Sequence, residues 1–253
     1  AINYSLVSDS ASATGTITPR PLTVSGLSGI TAVDRTYDGT LAVSLNVPGS
    51  LGSASGDALA GDQVSVVIAG GGIGSGTLLD KNAGQSKPVV LSGLSLTGAD
   101  AGNYFIAGTT GLTVNIAPKS LSAVFTGVSR VYDGTADATV LGGSADIVAG
   151  DVVNIAGTGL FTGTGARNAG TGKAVAVTGT TLTGTDAANY TLASTTATTT
   201  ADITPRELTA TYTGTSRVYD GTVTAPVTGS LAGVVVGDTV TPTATAEFTG
   251  DRK

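Results

Sequence analysis

The sequence Tyr37-Asp38-Gly39-Thr40 returns as Tyr132-Asp133-Gly134-Thr135 and again as Tyr219-Asp220-Gly221-Thr222. Asp-Gly indicates a tight turn, because Gly adopts positive φ at little cost and Asp hydrogen-bonds within its own turn. We expect the tyrosine ring of each copy to pack against its own repeat while its hydroxyl finds a backbone partner. A recurrent ligand site built from Tyr and Asp is the alternative, but turn chemistry alone accounts for the phrase.

Other phrases accompany this one in a fixed order along the chain. They are Ile-Thr-Pro-Arg at 17–20 and 203–206, with Ile-Ala-Pro-Lys at 116–119; Gly-Asp at 61–62, 150–151 and 237–238; Asn-Ala-Gly at 82–84 and 168–170; and Asn-Tyr at 3–4, 103–104 and 189–190. Such self-similarity predicts tandem copies of one module. We predict that residues 1–18 are the C-terminal strands of a preceding truncated module, 19–117 the first complete module, 118–204 the second, and 205–253 the N-terminal half of a third.

Both ends of the sequence fall inside a module. The chain begins at Ala1, just before an Asn-Tyr phrase, and ends before a third Asn-Ala-Gly phrase would occur. No charged and then apolar export segment precedes the repeats. We therefore expect the chain to be part of a much longer polypeptide.

Composition favours a folded all-β protein. Apolar residues make up 40% of the 253 residues, which is too many for a disordered linker despite 38 Gly and 8 Pro. Apolar residues alternate with polar ones at 63–68, 174–178 and 208–213, and this period is typical of strands with one buried face. No apolar run approaches the roughly 20 residues that span a bilayer, so no membrane insertion is expected.

Charge and residue counts argue against several functions. The chain has no Cys and no His, which removes thiolate chemistry and the commonest general base. A net charge of −6 argues against nucleic-acid partners. Arg35, Arg130 and Arg217 recur at one module position and are interpreted as framework residues. Glu207 and Glu247 are the only Glu, so we predict no enzyme activity, no catalytic residue and no cofactor-binding residue.

The closing phrases, at 96–104 and 182–190, resemble the tyrosine corner of immunoglobulin-like domains. In this interpretation Asp100 braces the loop for Tyr104, and Asp186 does so for Tyr190. The motif predicts modules with an immunoglobulin-like β-sandwich fold; a β-grasp-like fold is the alternative.

The junctions between modules each contain a proline. Pro19, Pro118 and Pro205 fix φ and favour an extended conformation in the preceding residue. A short proline-containing junction is stiffer than a Gly/Ser linker. We therefore expect the array to form an elongated rod.

Taken together, the phrases resemble the repeat domains, named for Tyr-Asp-Gly, of bacterial filamentous-haemagglutinin-like exoproteins. The resemblance covers essentially the whole chain. It implies an extracellular or cell-surface protein, often exported by two-partner secretion, that acts as an adhesin or a biofilm-matrix filament. The implied role is a stalk whose partners are neighbouring copies of the module. A self-associating fibre subunit, paired with other chains of the same protein, and a glycan-binding adhesin module remain alternatives, and the receptor is not indicated.

Two sharper hypotheses concern individual side chains. Acidic residues recur in loops, as Ca²⁺ ligands do; the candidates are Asp62, Asp151, Asp238, Asp100 and Asp186. Their spacing lacks the dense pattern of a dedicated site. Lys87 and Lys173 also recur, as do Asn103 and Asn189, and such residues form isopeptide bonds in some adhesins. Exposed lysines and turn asparagines are the simpler interpretation.

Overall fold

The structure is a computed structural model that describes residues 3–4, 7, 10, 12–25, 30–47, 58–68 and 75–250. The chain divides into two compact units, Ala1–Lys119 and Ser120–Lys253. The predicted all-β class is confirmed: the described ranges contain no α-helix, and the 3₁₀-helices there, Ala101–Asn103 and Ala187–Asn189, have three residues each. The alternative, a β-grasp-like fold, packs a sheet against a helix, and the described ranges contain no such helix.

The first unit contains eleven strands among its described residues. They are β1 Arg20–Ser25, β2 Thr31–Ala32, β3 Arg35–Thr36, β4 Ala42–Val43, β5 Leu45–Asn46, β6 Ser65–Ile68, β7 Ser75–Leu78, β8 Gly84–Ser92, β9 Leu94–Thr97, β10 Tyr104–Thr110 and β11 Thr113–Ala117. A five-stranded sheet has the order β3-β11-β8-β7-β4, and β1 pairs in parallel with β10. Two further pairs, β2 with β5 and β6 with β9, are antiparallel.

The second unit contains the longer strands. They are β12 Lys119–Leu121, which begins at the unit boundary, β13 Val124–Val128, β14 Arg130–Val131, β15 Asp137–Gly143, β16 Asn154–Phe161, β17 Gly170–Thr183, β18 Tyr190–Leu192, β19 Ala197–Thr204, β20 Thr209–Gly214, β21 Thr224–Ala225, β22 Val227–Ala232 and β23 Ala246–Glu247. A six-stranded sheet has the order β13-β15-β16-β17-β19-β14. The remaining pairs are β12 with β18, β20 with β22, and β21 with β23.

The six-stranded sheet curls back on itself. β13 and β14 are separated only by Ser129, yet they lie at opposite ends of the strand order. β13 pairs antiparallel with β15, whereas β14 pairs in parallel with β19. β13 also approaches β19, the neighbour of β14, since a Cβ added to Gly127 would lie 2.5 Å from the carbonyl oxygen of Thr200. Residues 124–131 therefore supply the strand at each edge of the sheet. The immunoglobulin-like sandwich remains a prediction.

The interior of the curled sheet is apolar. The alternation predicted at 174–178 is confirmed, because Val175 and Val177 are buried within β17. They share the core with Phe125, Phe161 and Ile203. In the first unit, a separate buried cluster consists of Leu22, Val24, Val66 and Tyr104. Each unit thus has its own buried apolar residues.

The third repeat departs from the predicted burial. The alternation at 208–213 predicts a strand with one buried face, and β20 does form there, but all six of its residues are exposed. β20 pairs only with β22, and Tyr212 and Phe248 remain about half exposed. Their counterparts in the second repeat, Phe125 and Phe161, are buried.

The described residues do not include all of the first repeat. The stretch between its Tyr-Asp-Gly-Thr and Gly-Asp phrases is longer than in the other repeats, and residues 48–57 of it are not among the described residues.

Candidate functional site

Each Tyr-Asp-Gly-Thr phrase forms a turn held by side chains, as the second repeat shows. The Asp133 carboxylate accepts hydrogen bonds from the backbone N–H and the hydroxyl of Thr135, both at 2.9 Å. Arg130 forms an ion pair with Asp133 and donates to the carbonyl oxygen of Thr135 over 2.7 Å. Gly134 supplies the positive φ of 83° that the turn requires. We call the arginine, aspartate and threonine of this arrangement the clasp.

The clasp recurs in all three repeats. Its members elsewhere are Arg35, Asp38 and Thr40, and Arg217, Asp220 and Thr222. The turn glycines Gly39 and Gly221 have φ of 79° and 83°. From the sequence alone, these arginines are interpreted only as framework residues. Their constant position three residues before the aspartate is the signal that identifies them as its partners.

The clasp favours the ionised aspartate. The backbone hydrogen bond from Thr135 is the main cause that lowers the pKa of Asp133, and Arg130 adds to it. For Asp220, the side-chain hydrogen bond from Arg217 is the main cause that lowers the pKa, and hydrogen bonds from Thr222 add to it. Arg130 also covers the ring of Phe161, with 5.5 Å between its guanidinium carbon and the ring centroid. The clasp is therefore anchored to the core of its own repeat.

The predicted tyrosine corner in the first repeat has two parts. Asp100 accepts a 2.8 Å hydrogen bond from the backbone N–H of Gln63 and so braces the facing loop. The Tyr104 hydroxyl accepts from the N–H of Leu59 at 3.0 Å and donates to Asp62 at 2.5 Å. This bond to Asp62 raises the pKa of Tyr104. The hydroxyl bonds to backbone as expected, whereas its carboxylate partner, in the Gly-Asp phrase, was not predicted.

The second repeat has the same geometry. Asp186 accepts from the N–H of Val152 at 2.9 Å. The Tyr190 hydroxyl accepts from the N–H of Val148 at 3.0 Å and donates to Asp151 at 2.6 Å. The partners lie 39 residues apart in the chain, so local turn rules do not connect them. The fixed order of the Gly-Asp and Asn-Tyr phrases is the only sequence signal of the pair.

In the third repeat, Asp238 of the Gly-Asp phrase bonds to a tyrosine of the preceding repeat. The Tyr132 hydroxyl donates to Asp238 over 2.7 Å, and this bond raises the pKa of Tyr132. The same turn approaches the third repeat closely, since a Cβ added to Gly134 would lie 2.8 Å from Val235. Within the second unit, the Tyr-Asp-Gly-Thr turn is therefore part of the seam between two repeats.

A groove of about 270 Å³ lies at this seam. We call it the third-repeat groove. Its lining includes Tyr132, Pro205, Leu208, Val235, Asp238 and Val240. Its walls are mainly apolar, and Asp238 contributes a carboxylate that can accept hydrogen bonds.

The three phrase tyrosines differ in burial. Tyr37 is buried and Tyr132 is half-buried, but Tyr219 is 71% exposed. The expectation that every ring packs against its own repeat is therefore wrong for Tyr219.

The candidate Ca²⁺ ligands do not converge in the structure. Asp62, Asp151 and Asp238 each accept a tyrosine hydroxyl, and Asp100 and Asp186 each accept a backbone N–H. Among the described residues, no three His, Cys, Asp or Glu side chains come together to hold a metal ion.

The recurrent lysines are less exposed than predicted. The Lys87 side chain is 12% exposed and forms an ion pair with Asp80. Lys173 donates to the carbonyl oxygen of Gly165 over 2.9 Å. Asn189 is buried. The contacts of the two lysines anchor the loops before β8 and β17.

The three junction prolines lie at strand boundaries. Pro19 directly precedes β1, Pro118 lies between β11 and β12, and Pro205 directly follows β19. A missing N–H and a fixed φ suit these positions, where strand pairing begins or ends.

In the described ranges, no helix has the length and apolar character that crossing a bilayer would require. No curated protein and no solved structure matches the chain. The family model described as the YDG domain matches residues 18–111 and 117–199. These two matches cover more than half of the chain, and the two matched repeats share the clasp and the tyrosine–aspartate bond described above. The chain belongs to the YDG domain family.

Proposed function

We propose that this chain is a structural repeat region, a stalk or fibre segment, of a large exported bacterial surface adhesin or extracellular-matrix filament protein. Its role is to give the parent protein reach and rigidity. Its partners are neighbouring copies of the module, and its place is outside the cell. No catalytic residue, cofactor or nucleic-acid partner belongs to this proposal.

One observation carries the proposal: the side chains that recur from repeat to repeat bond to one another. The clasp residues bond within a turn in all three repeats, and Tyr104 and Tyr190 bond to the Gly-Asp aspartates of the first and second repeats. A repeated binding or catalytic site would need recurrent polar groups directed at a ligand. Here the recurrent polar groups are used to hold backbone geometry, which is what a spacer needs.

Contacts between the second and third repeats, inside the second unit, support a rigid junction. The hydrogen bond from Tyr132 to Asp238 and the contact of Gly134 with Val235 join two successive repeats next to the Pro205 junction. A junction held by a short proline segment and by side-chain contacts bends less than a flexible tether.

Small-angle X-ray scattering on the monomeric chain tests the proposal. A compact globule of this length has a radius of gyration of about 18 Å. A stiff spacer has a radius of gyration at least about 1.5 times this compact value, with scattering typical of a folded rod. A radius near the compact value would overturn the proposal. The Tyr132→Phe variant should scatter as a more flexible particle, whereas Tyr212→Phe, on an exposed ring, should not.

A further inference from the structure

Each clasp contains an Asp-Gly bond, the dipeptide in which aspartate isomerises most readily. The Gly nitrogen attacks the carboxyl carbon of the Asp side chain, one molecule of water leaves, and a five-membered succinimide forms. Water then opens this ring at either carbonyl carbon and yields aspartate or isoaspartate, in which the main chain continues through the former side-chain carboxyl. Gly favours the attack because it has no Cβ to hinder it and its backbone rotates freely.

The chain places every such bond in a clasp. Asp-Gly occurs only at 38–39, 133–134 and 220–221, and Asn-Gly, which forms the same ring by loss of ammonia, does not occur. The three carboxylates are accessible to water, since the side chains of Asp38, Asp133 and Asp220 are 50%, 48% and 55% exposed. Burial therefore does not prevent the reaction at these positions.

The clasp contacts oppose the attack at the carboxylate. In the second repeat, the N–H and hydroxyl of Thr135 and the guanidinium of Arg130 all contact one oxygen, Oδ1 of Asp133. These contacts hold the carboxylate toward the N–H two residues further along the chain and restrict its rotation toward the Gly134 nitrogen. They also stabilise the ionised carboxylate, whereas the ring forms more readily from the neutral acid, because an oxygen of that group must leave as water.

The clasp arginine also holds the main chain around the bond. Arg130 donates to the carbonyl oxygen of Thr135 over 2.7 Å and, through Nε, to that of Asp137 over 3.1 Å. On the other side, the N–H of Tyr132 donates to the carbonyl oxygen of Thr204 over 2.9 Å. Ring closure must bring the Gly nitrogen to bonding distance of the side-chain carbon, so the turn has to move, and these bonds resist that movement.

We propose that Asp38, Asp133 and Asp220 are the chain's sites of spontaneous isoaspartate formation, and that the clasp arginine and threonine slow this reaction in the folded repeats. Isomerisation adds one methylene to the main chain of the turn. It also converts the carboxylate that the clasp holds into a main-chain amide, so a modified clasp cannot form again. The inference concerns the covalent lifetime of the turn and does not rest on the spacer role.

Long incubation of the folded chain at constant neutral pH, in water labelled with heavy oxygen, measures the reaction. Each passage through the succinimide incorporates the label, and mass spectrometry with electron-transfer fragmentation distinguishes isoaspartate from aspartate at each of the three positions. A synthetic peptide of residues 128–138 contains the same Asp-Gly bond without the fold. We expect Asp133 to react at least about tenfold more slowly in the folded chain than in this peptide.

Arg130→Gln tests the clasp itself. Loss of the ion pair should make Asp133 react at least about threefold faster, while Asp38 and Asp220 keep their rates and provide references within the same chain. In the peptide, the same substitution should have no effect, which separates the folded contact from a local effect of charge. Tyr190→Phe is the control for general destabilisation, because it weakens the same unit away from the clasp, and should leave the rate at Asp133 unchanged.

Two results would overturn the proposal. One is an equal rate at Asp133 in the folded chain and in the peptide. The other is an Arg130→Gln rate equal to that of the unaltered chain or of Tyr190→Phe. Circular dichroism establishes that each variant is folded. If Arg130→Gln is not, Thr135→Val decides, because it removes only the hydroxyl donor: a faster reaction at Asp133 supports protection by the clasp, and an unchanged rate excludes it.

Discussion

At the scale of single residues, the clasp links stability to pH. Hydrogen bonds and the ion pair lower the pKa of Asp133 and Asp220. A group whose pKa is lower in the folded state stabilises that state at pH values above its unfolded pKa, about 4 for Asp. This contribution is lost as the pH falls from about 5 toward the folded pKa. We therefore expect the urea midpoint to be constant near neutral pH and to fall below about pH 4.

The clasp arginine provides the variant for this measurement. Arg130→Gln removes the ion-pair partner of Asp133, to which Thr135 still donates, and should make the second unit less stable at pH 7 and less sensitive to acid. Arg167→Gln makes the same change of charge outside the clasp and should leave the acid sensitivity unchanged. The same pH profile for Arg130→Gln and the unaltered chain would contradict this assignment.

A second residue-scale prediction concerns Gly184, in the closing phrase of the second repeat. Its φ is +118°, and an added Cβ would lie 2.3 Å from the carbonyl oxygen of Val152. Gly184→Ala therefore requires both a strained backbone and a displaced loop, and we expect a loss of about 2–4 kcal/mol in unfolding free energy. Gly143→Ala is the control, because its Cβ meets nothing within 4 Å, and should change stability by less than about 1 kcal/mol. Chemical denaturation measures both.

Local chemistry explains which of these residues the sequence predicts. Asp133 and Gly134 make their turn with neighbours in the chain, so the Asp-Gly pair indicates the turn directly. The closing-phrase glycine is different, because the carbonyl that excludes a side chain belongs to Val152, more than thirty residues earlier. The need for glycine at position 184 becomes clear only in the folded structure, where the closing phrase faces the loop that contains Val152.

At the scale of structural elements, the tyrosine–aspartate bond holds β18 against the Gly-Asp turn. Tyr190→Phe removes one hydroxyl and leaves the Val148 N–H and the Asp151 carboxylate without that partner. A buried hydrogen-bond partner lost in this way costs about 1–3 kcal/mol, so the unfolding free energy should fall by that amount. Tyr212→Phe removes a hydroxyl from a half-exposed ring and should be nearly neutral. Equal effects of the two substitutions would exclude a special role for the bond.

Strand positions were easier to predict than strand burial. Alternation identified strands at both 174–178 and 208–213, since period 2 depends only on neighbouring residues. Val175 and Val177 are buried because β16 and β19 flank β17 on both sides. β20 has the same local pattern, but its one partner is β22, so its residues remain exposed. Burial depends on the strands that complete a sheet, and a strand's own sequence does not contain that information.

At the scale of the whole molecule, the repeats should differ in local stability. Free energies of local opening are low where few apolar contacts are buried and high in core strands. β22 and β15 occupy the same position in their repeats, but β15 lies between two paired strands and β22 pairs only with β20. Hydrogen exchange followed by mass spectrometry compares these strands within one sample. We expect amides of β22 to exchange at least about tenfold faster than those of β15, and those of β17 to be the slowest.

Equal protection of β15 and β22 would contradict this prediction. It would mean that a second partner strand, which β15 has and β22 lacks among the described residues, does not set the free energy of local opening.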